Sequence, residues 1–300
     1  MTQTFQVPLF PGSVPVPEGG AGVEPGAGAA PLPAALRATL GKVEHAAAGE
    51  DGVEVVHEAR KSLKEYRALL RLVPGAAARA ARRHAAEVAR QLAPARDRAT
   101  AREALDLLEG VGLAADLQAA RAALGVADDS QADGDLEALR AILAGFRADA
   151  GARLEAGLEA EAAGADLVAG LRRGYRAARR GRLDAAVALH ETRKRVVTHR
   201  YQMSFAATYL TGRGAVRAGR AQRLRDVLGA FQDLETLRPM LHDAAPRLEP
   251  GVVKRLDHAM ARLQKRLRRH AQRQHKALFG ASSRQFARKL ERRLAAAEAA

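Results

Sequence analysis

Residues 56–73 read Val-His-Glu-Ala-Arg-Lys-Ser-Leu-Lys-Glu-Tyr-Arg-Ala-Leu-Leu-Arg-Leu-Val. On a helix, at about 100° per residue, His57, Arg60, Lys61, Lys64, Arg67 and Arg71 fall within an arc of about 120°. Val56, Ala59, Leu63, Tyr66, Leu69, Leu70 and Val73 take the opposite face and read as core. Leu72 is the one apolar residue out of place. The stripe has an electrostatic cost, because like charges at this spacing destabilise an isolated helix. A solvated helix interleaves acids to avoid it, whereas Glu58 and Glu65 lie only at the edge of this stripe.

The pattern occurs twice. Val56-His57-Glu58-Ala59-Arg60-Lys61 matches Leu189-His190-Glu191-Thr192-Arg193-Lys194, and Arg67 matches Arg200, at one offset of 133. Arg96-Asp97-Arg98 stands where the second copy has Gln232-Asp233-Leu234, the offset having grown to 136. Such self-similarity marks a duplicated structural unit. It predicts two helical bundles related by a pseudo-two-fold axis, residues 34–164 and 165–300, meeting near Gly164. Residues 1–33 hold seven of the twelve prolines and read as a linker-like tail.

Outside the tail the chain is rich in Ala, Leu, Arg and Glu and poor in β-branched residues, which makes the fold class all-α. Helices are expected near 34–48, 52–73, 76–108, 112–124, 134–163, 165–181, 183–211, 215–242, 249–279 and 282–298. Pro94 should kink or break the third of these.

Net charge is +15 and unevenly spread. Residues 109–164 hold 4 basic and 11 acidic side chains, whereas residues 165–300 hold 31 basic and 11 acidic. Folding does not require such an excess, and self-repulsion opposes it. The imbalance points to a polyanionic partner. Two further stripes agree: Arg172, Arg176, Arg179 and Arg180 on one helix, then Arg255, Arg262, Arg266, Arg269, Arg273 and Lys276 on another. The planar guanidinium fork suits phosphate oxygens.

Enzymatic readings find little chemistry. The chain has no cysteine, so thiolate metal sites and a cysteine nucleophile are excluded. Each His-Glu pair is followed by Arg-Lys rather than by the second histidine of a zinc-protease helix, and no Gly-Lys-Ser/Thr phosphate loop or Gly-x-Ser-x-Gly elbow occurs. No catalytic residue, metal or cofactor is expected. No segment reads as a signal peptide or membrane span, so a cytoplasmic location is expected. Sequence-nonspecific nucleic-acid binding stays open, because it uses the same cations. An adaptor role for the acidic segment or the tail is compatible with either ligand.

The two His-Glu-x-Arg-Lys segments, with Arg67 and Arg200-Tyr201, resemble the CHAD family, the conserved-histidine α-helical domain. Arg96-Asp97, Leu228-Gly229 and Asp233-Leu234-Glu235 are similar to its second motif. The resemblance covers about residues 34–298. It implies two antiparallel four-helix bundles whose basic central surface binds inorganic polyphosphate, with polyphosphate granules, their proteins or polyphosphate-metabolising enzymes as associates. It places ligand-facing positions at His57, Arg60, Lys61, Lys64 and Arg67, and at His190, Arg193, Lys194 and Arg200. Val197 and Ser204 depart from the family pattern, which implies either a weaker grip there or more reliance on Arg172 and Arg176. Asp97 and Asp233 are read as structural partners of a neighbouring arginine. The Glu-x-Glu-x-Lys strand of the CYTH domain, to which many relatives are fused, has no counterpart, since Ala163 follows Glu159-Ala160-Glu161. The basic side chains point away from the apolar stripe, so replacing Arg60 or Arg193 should leave folding intact.

Overall fold

A computed structural model describes residues 31–92, 97–126, 136–210 and 214–298 of the chain, with backbone only for residues 97–99 and 297–298. Residues 1–30 of the expected tail lie outside the described residues. Regular structure among the described residues is entirely helical. In chain order the helices are α1 (Pro31–Ala47), α2 (Gly52–Leu69), α3 (Ala76–Gln91), α4 (Asp97–Asp106), α5 (Ala114–Leu124) and α6 (Leu136–Arg153). A π-turn, Leu154–Leu158, leads from α6 into α7 (Glu159–Ala163). Then come α8 (Leu167–Arg179), α9 (Ala186–Tyr209), α10 (Ala215–Asp243), α11 (Val252–Phe279) and α12 (Ser283–Glu298).

Local chemistry sets several ends. Pro31 opens α1, where its missing N–H costs nothing and its fixed φ suits the helix. The Asp51 carboxylate accepts from the Val53 amide at the start of α2, and Asp166 does the same for Ala169 at the start of α8. The expected 76–108 helix is two helices. α3 stops at Gln91 and α4 begins at Asp97, on either side of Pro94, which itself lies outside the described residues.

The expected 52–73 helix also ends early, at Leu69. That resolves the anomaly of Leu72. Released from helical register, Leu72 is fully buried and packs on α8 at Gly170, where an added Cβ would stand 3.1 Å from its Cα and Cδ2. Only glycine lets the two chains approach so closely without displacement.

α1, α2, α3 and α6 pack on one another, and α8 packs on α9, α11 and α12. α9 lies against both α2 and α10, so the two helices that carry the repeated motif touch directly. α4 packs on α10, and α5 packs on α4, α10 and α11; contacts therefore run across position 164 in several places. One contiguous apolar cluster extends from Leu32 to Leu290. No helix among the described residues is long and apolar enough to cross a membrane.

Five helices meet in an aromatic cluster: Tyr175, His199, Phe279 and Phe286 surround the Arg217 side chain. Tyr175 and Phe286 stack with centroids 4.4 Å apart. His199 is fully buried, and its Nε2 accepts from Arg217 Nε at 3.2 Å. Arg217 also donates to the Leu278 carbonyl at 2.6 Å. Burial, and then the Arg217 charge, push the His199 imidazole down to about 3. His199 is neutral in the folded chain, whereas the unfolded chain protonates it below about pH 6.5. Its contribution is therefore complete above pH 6.5 and is lost as pH falls toward 3. At about 1.4 kcal/mol per pH unit, up to about 4–5 kcal/mol of unfolding free energy should disappear across that window. Urea titrations at stepped pH should show this fall, and His199→Gln should remove most of it.

Candidate anion-binding surface

The α2–α9 contact is pinned by two hydrogen bonds from successive residues of α9. Tyr201 donates its hydroxyl to the Lys61 carbonyl at 3.1 Å, and buried Gln202 donates to the Ala68 carbonyl at 3.1 Å. The Arg200 guanidinium covers the Tyr201 ring at 4.4 Å, an attractive cation–π placement. Burial pushes the Tyr201 hydroxyl up, against the lowering influence of Arg200 and of Arg225 on α10. Arg200 from the second motif copy is thereby held at the contact with α2, over the tyrosine that bonds the Lys61 backbone.

In the second copy, α10 orients the motif. His190 Nδ1 lies 2.9 Å from Gln232 Oε1. The Arg193 guanidinium lies over Gly229, within 3.5–3.9 Å of where a Cβ would stand. Both Arg193 and Asp233 interact with neighbours. The side chain of Asp97 lies outside the described residues. His57 is exposed, its Nε2 3.9 Å from Glu58.

Several motif cations already have acid partners. Lys61 bonds Glu58 at 3.0 Å and Lys194 bonds Glu191 at 2.8 Å, the same i,i+3 pair in each copy. Lys194 holds the Glu191 carboxyl below its usual value. Both pairs are exposed, so each is worth little and can rearrange around another anion.

Two sequence expectations change here. Arg60 is not a free surface cation: its Nη1 donates to the Ala89 and Leu92 carbonyls at 3.0 and 3.3 Å and so caps the C-terminal end of α3. Arg82 answers from α3 by donating to the Leu70 carbonyl at 3.0 Å, just past the end of α2. α2 and α3 are thus antiparallel, each lending an arginine to the negative end of the other's dipole. Arg255 is likewise committed. Its fork closes on the buried Asp116 carboxylate with two 2.8 Å bonds, tying α11 to α5 and lowering the Asp116 pKa.

The α2–α3 edge gathers several arginines in one place. Burial, then Arg71 and Arg90, lower the Arg67 pKa. Burial, then Arg71, Arg79, Arg83 and Arg67, lower that of Arg82. Six arginines on α3 and around the C-terminal end of α2 therefore crowd within electrostatic reach. Arg90 has an acid neighbour, Glu87. Sequence reasoning missed the four on α3. Their signal was available: Arg79, Arg82, Arg83 and Arg90 in one short helix that has Glu87 as its sole acid.

The remaining predicted residues are not gathered at this edge. Arg172, Arg176 and Arg179 are exposed along α8, and their neighbour Arg173 donates to the Leu72 carbonyl at 3.2 Å. Lys64 is half-buried. Arg262, Arg266, Arg269 and Arg273 are exposed along α11, with Arg262 donating to the Val111 carbonyl. Among the described residues no group of His, Cys, Asp or Glu could hold a metal ion.

Compared with known proteins, the chain matches one family model, described as the CHAD domain, over residues 32–242. No curated protein matches it, and no solved structure does.

Arg60→Ala should destabilise the fold by about 1.5–3 kcal/mol, because it strips two charge-assisted bonds from helix-terminal carbonyls. Urea unfolding of the variant beside Arg71→Ala, whose side chain is exposed, should separate the capping arginine from its neighbour.

Proposed function

The chain belongs to the CHAD-domain family, and on that premise we propose that it is a non-enzymatic binding protein for inorganic polyphosphate. The ligand lies along the cations of α2, α3 and α9, and binding brings the protein to cytoplasmic polyphosphate granules. The observation that carries this reading is the crowding of Arg67, Arg71, Arg79, Arg82, Arg83 and Arg90, whose mutual repulsion adds to burial in lowering the Arg67 and Arg82 pKa values. Charges held together at a cost to folding gain their compensation from an anion that spans them. A linear polymer with a charge on every unit does this better than a compact anion. Guanidinium forks reach its phosphate oxygens in pairs.

Polyphosphate is favoured over single-stranded nucleic acid by the aromatic residues. Tyr66, Tyr175 and Tyr201, with every described phenylalanine, are buried, and Tyr209 is half-buried with its ring stacked on Phe205, so the described aromatic rings offer bases little stacking platform.

Long polyphosphate should displace duplex DNA and RNA from the protein at physiological salt, and tripolyphosphate should bind far more weakly than the polymer. Arg71→Gln and Arg83→Gln should each weaken polymer binding about tenfold, the loss of one charge-assisted contact. Each should also leave stability unchanged or slightly raised, because like-charge repulsion is relieved. Calorimetric titration beside thermal unfolding checks both signs. Nucleic acid binding as tightly as polyphosphate, or variants that bind the polymer normally, would overturn the reading.

A further inference from the structure

The two last helices lie beyond the residues that the family model matches. From Val252 to Glu298 they hold 14 Lys and Arg against 3 Asp and Glu. α11 is sharply two-sided. Leu256, Met260, Leu263 and Leu267 are buried, whereas Lys265, Arg266, Arg269 and Lys276 are exposed and have no partner among the described residues. Arg262 and Arg273 continue the same row. From Arg262 to Lys276 the row runs about 21 Å with no acid on it.

This row does not join the motif surface. Arg193 of α9 lies over Gly229 of α10, whereas Arg268 of α11 lies over the Phe231 ring at 5.6 Å. Positions two residues apart point about 160° away from each other around a helix. α9 and α11 thus flank α10 on different sides. The apolar row of α11 faces inward, so its basic row faces out, away from α10 and from the motif helices beyond it.

We infer that the outward face of α11 is a second polyphosphate-binding surface, so that one protein molecule holds two polymer segments on separate sides and cross-links them. The inference rests on the polyphosphate reading of the motif surface. It adds a consequence which that reading lacks. A protein with one surface coats a chain, whereas one with two joins chains into a network through multivalent attachment. Its salt dependence is that of fully exposed cations releasing counterions.

The test compares the whole protein with a face variant, Lys265→Gln, Arg266→Gln, Arg269→Gln and Lys276→Gln, and with the motif-surface pair Arg71→Gln and Arg83→Gln. A charge-keeping control carries Lys265→Arg and Lys276→Arg. Glutamine suits exposed helix positions, and circular dichroism with thermal unfolding verifies the fold. Calorimetry with a short, size-fractionated polyphosphate should give two ligands per chain for the wild type and the control, and one for the face variant. Light scattering with long polyphosphate should rise for the wild type and the control and stay low for the face variant, whose single site still binds. A face variant that keeps two ligands and scatters like the wild type overturns the inference and leaves the motif-surface reading standing. A face variant that loses RNA binding while keeping both polyphosphate ligands overturns it in favour of a nucleic-acid surface. If the motif-surface pair binds normally while the face variant binds nothing, the reading of the motif surface fails instead, and with it the second-surface inference.

Discussion

Inside the core, Gln202 gives its amide proton to the Ala68 carbonyl while the adjacent Tyr201 holds the Lys61 carbonyl. These two bonds join the helices that carry the two copies of the motif. Ala68 sits near the end of α2, where carbonyls run out of intrahelical partners, so a buried donor there satisfies an acceptor that would otherwise be stranded. The part of the basic surface where the two motif copies meet follows from that contact. Arg200 is carried over Tyr201 at the contact with α2, and α10, packed on α9, brings Arg225 alongside.

Positive charge in this protein does two different jobs. Some arginines are consumed by the fold: Arg60 and Arg82 close the ends of each other's helices, Arg173 reaches the Leu72 carbonyl, Arg217 fills the aromatic cluster and Arg255 clasps Asp116. Their partners are carbonyls, rings or a buried carboxylate, and they hold helices together. Others, such as Arg71 just past the end of α2 and Arg83, Arg266 and Arg269 along helix faces, are exposed where only solvent or a ligand meets them. The first class makes the second possible, because a core tied by buried polar contacts can carry unbalanced surface charge. The capping arginines also concentrate the field at the α2–α3 edge, since Arg82 must sit among Arg67, Arg71, Arg79 and Arg83 to reach its carbonyl.

Helix identity was legible because it depends on residues three and four apart. The apolar rows of α2 and α11 follow from spacing alone, and so does the duplication, which survives as His-Glu-x-Arg-Lys and a following arginine at an offset of 133. Leu72 was legible as a misfit but not as the end of a helix, because what receives it is Gly170, about a hundred residues away. The arginines of α3 fall outside the repeated motif, and their signal is only a short helix with one acid.

The amino-acid sequence by itself determined an all-helical chain, its duplicated motif and the stripes that carry its excess charge, since each is a periodic property of neighbouring residues. Which cations are spent on the fold was decided only by tertiary structure. Arg60 and Arg71 fall on one stripe of the sequence pattern, yet Arg60 caps α3 and Arg71, just past the end of α2, is exposed. The difference is where the carbonyls at the end of α3 come to rest, and that depends on an antiparallel packing no local spacing encodes. The same holds for α11, whose basic row is plain in the sequence. Its separation from the motif surface exists only because α10 stands between them.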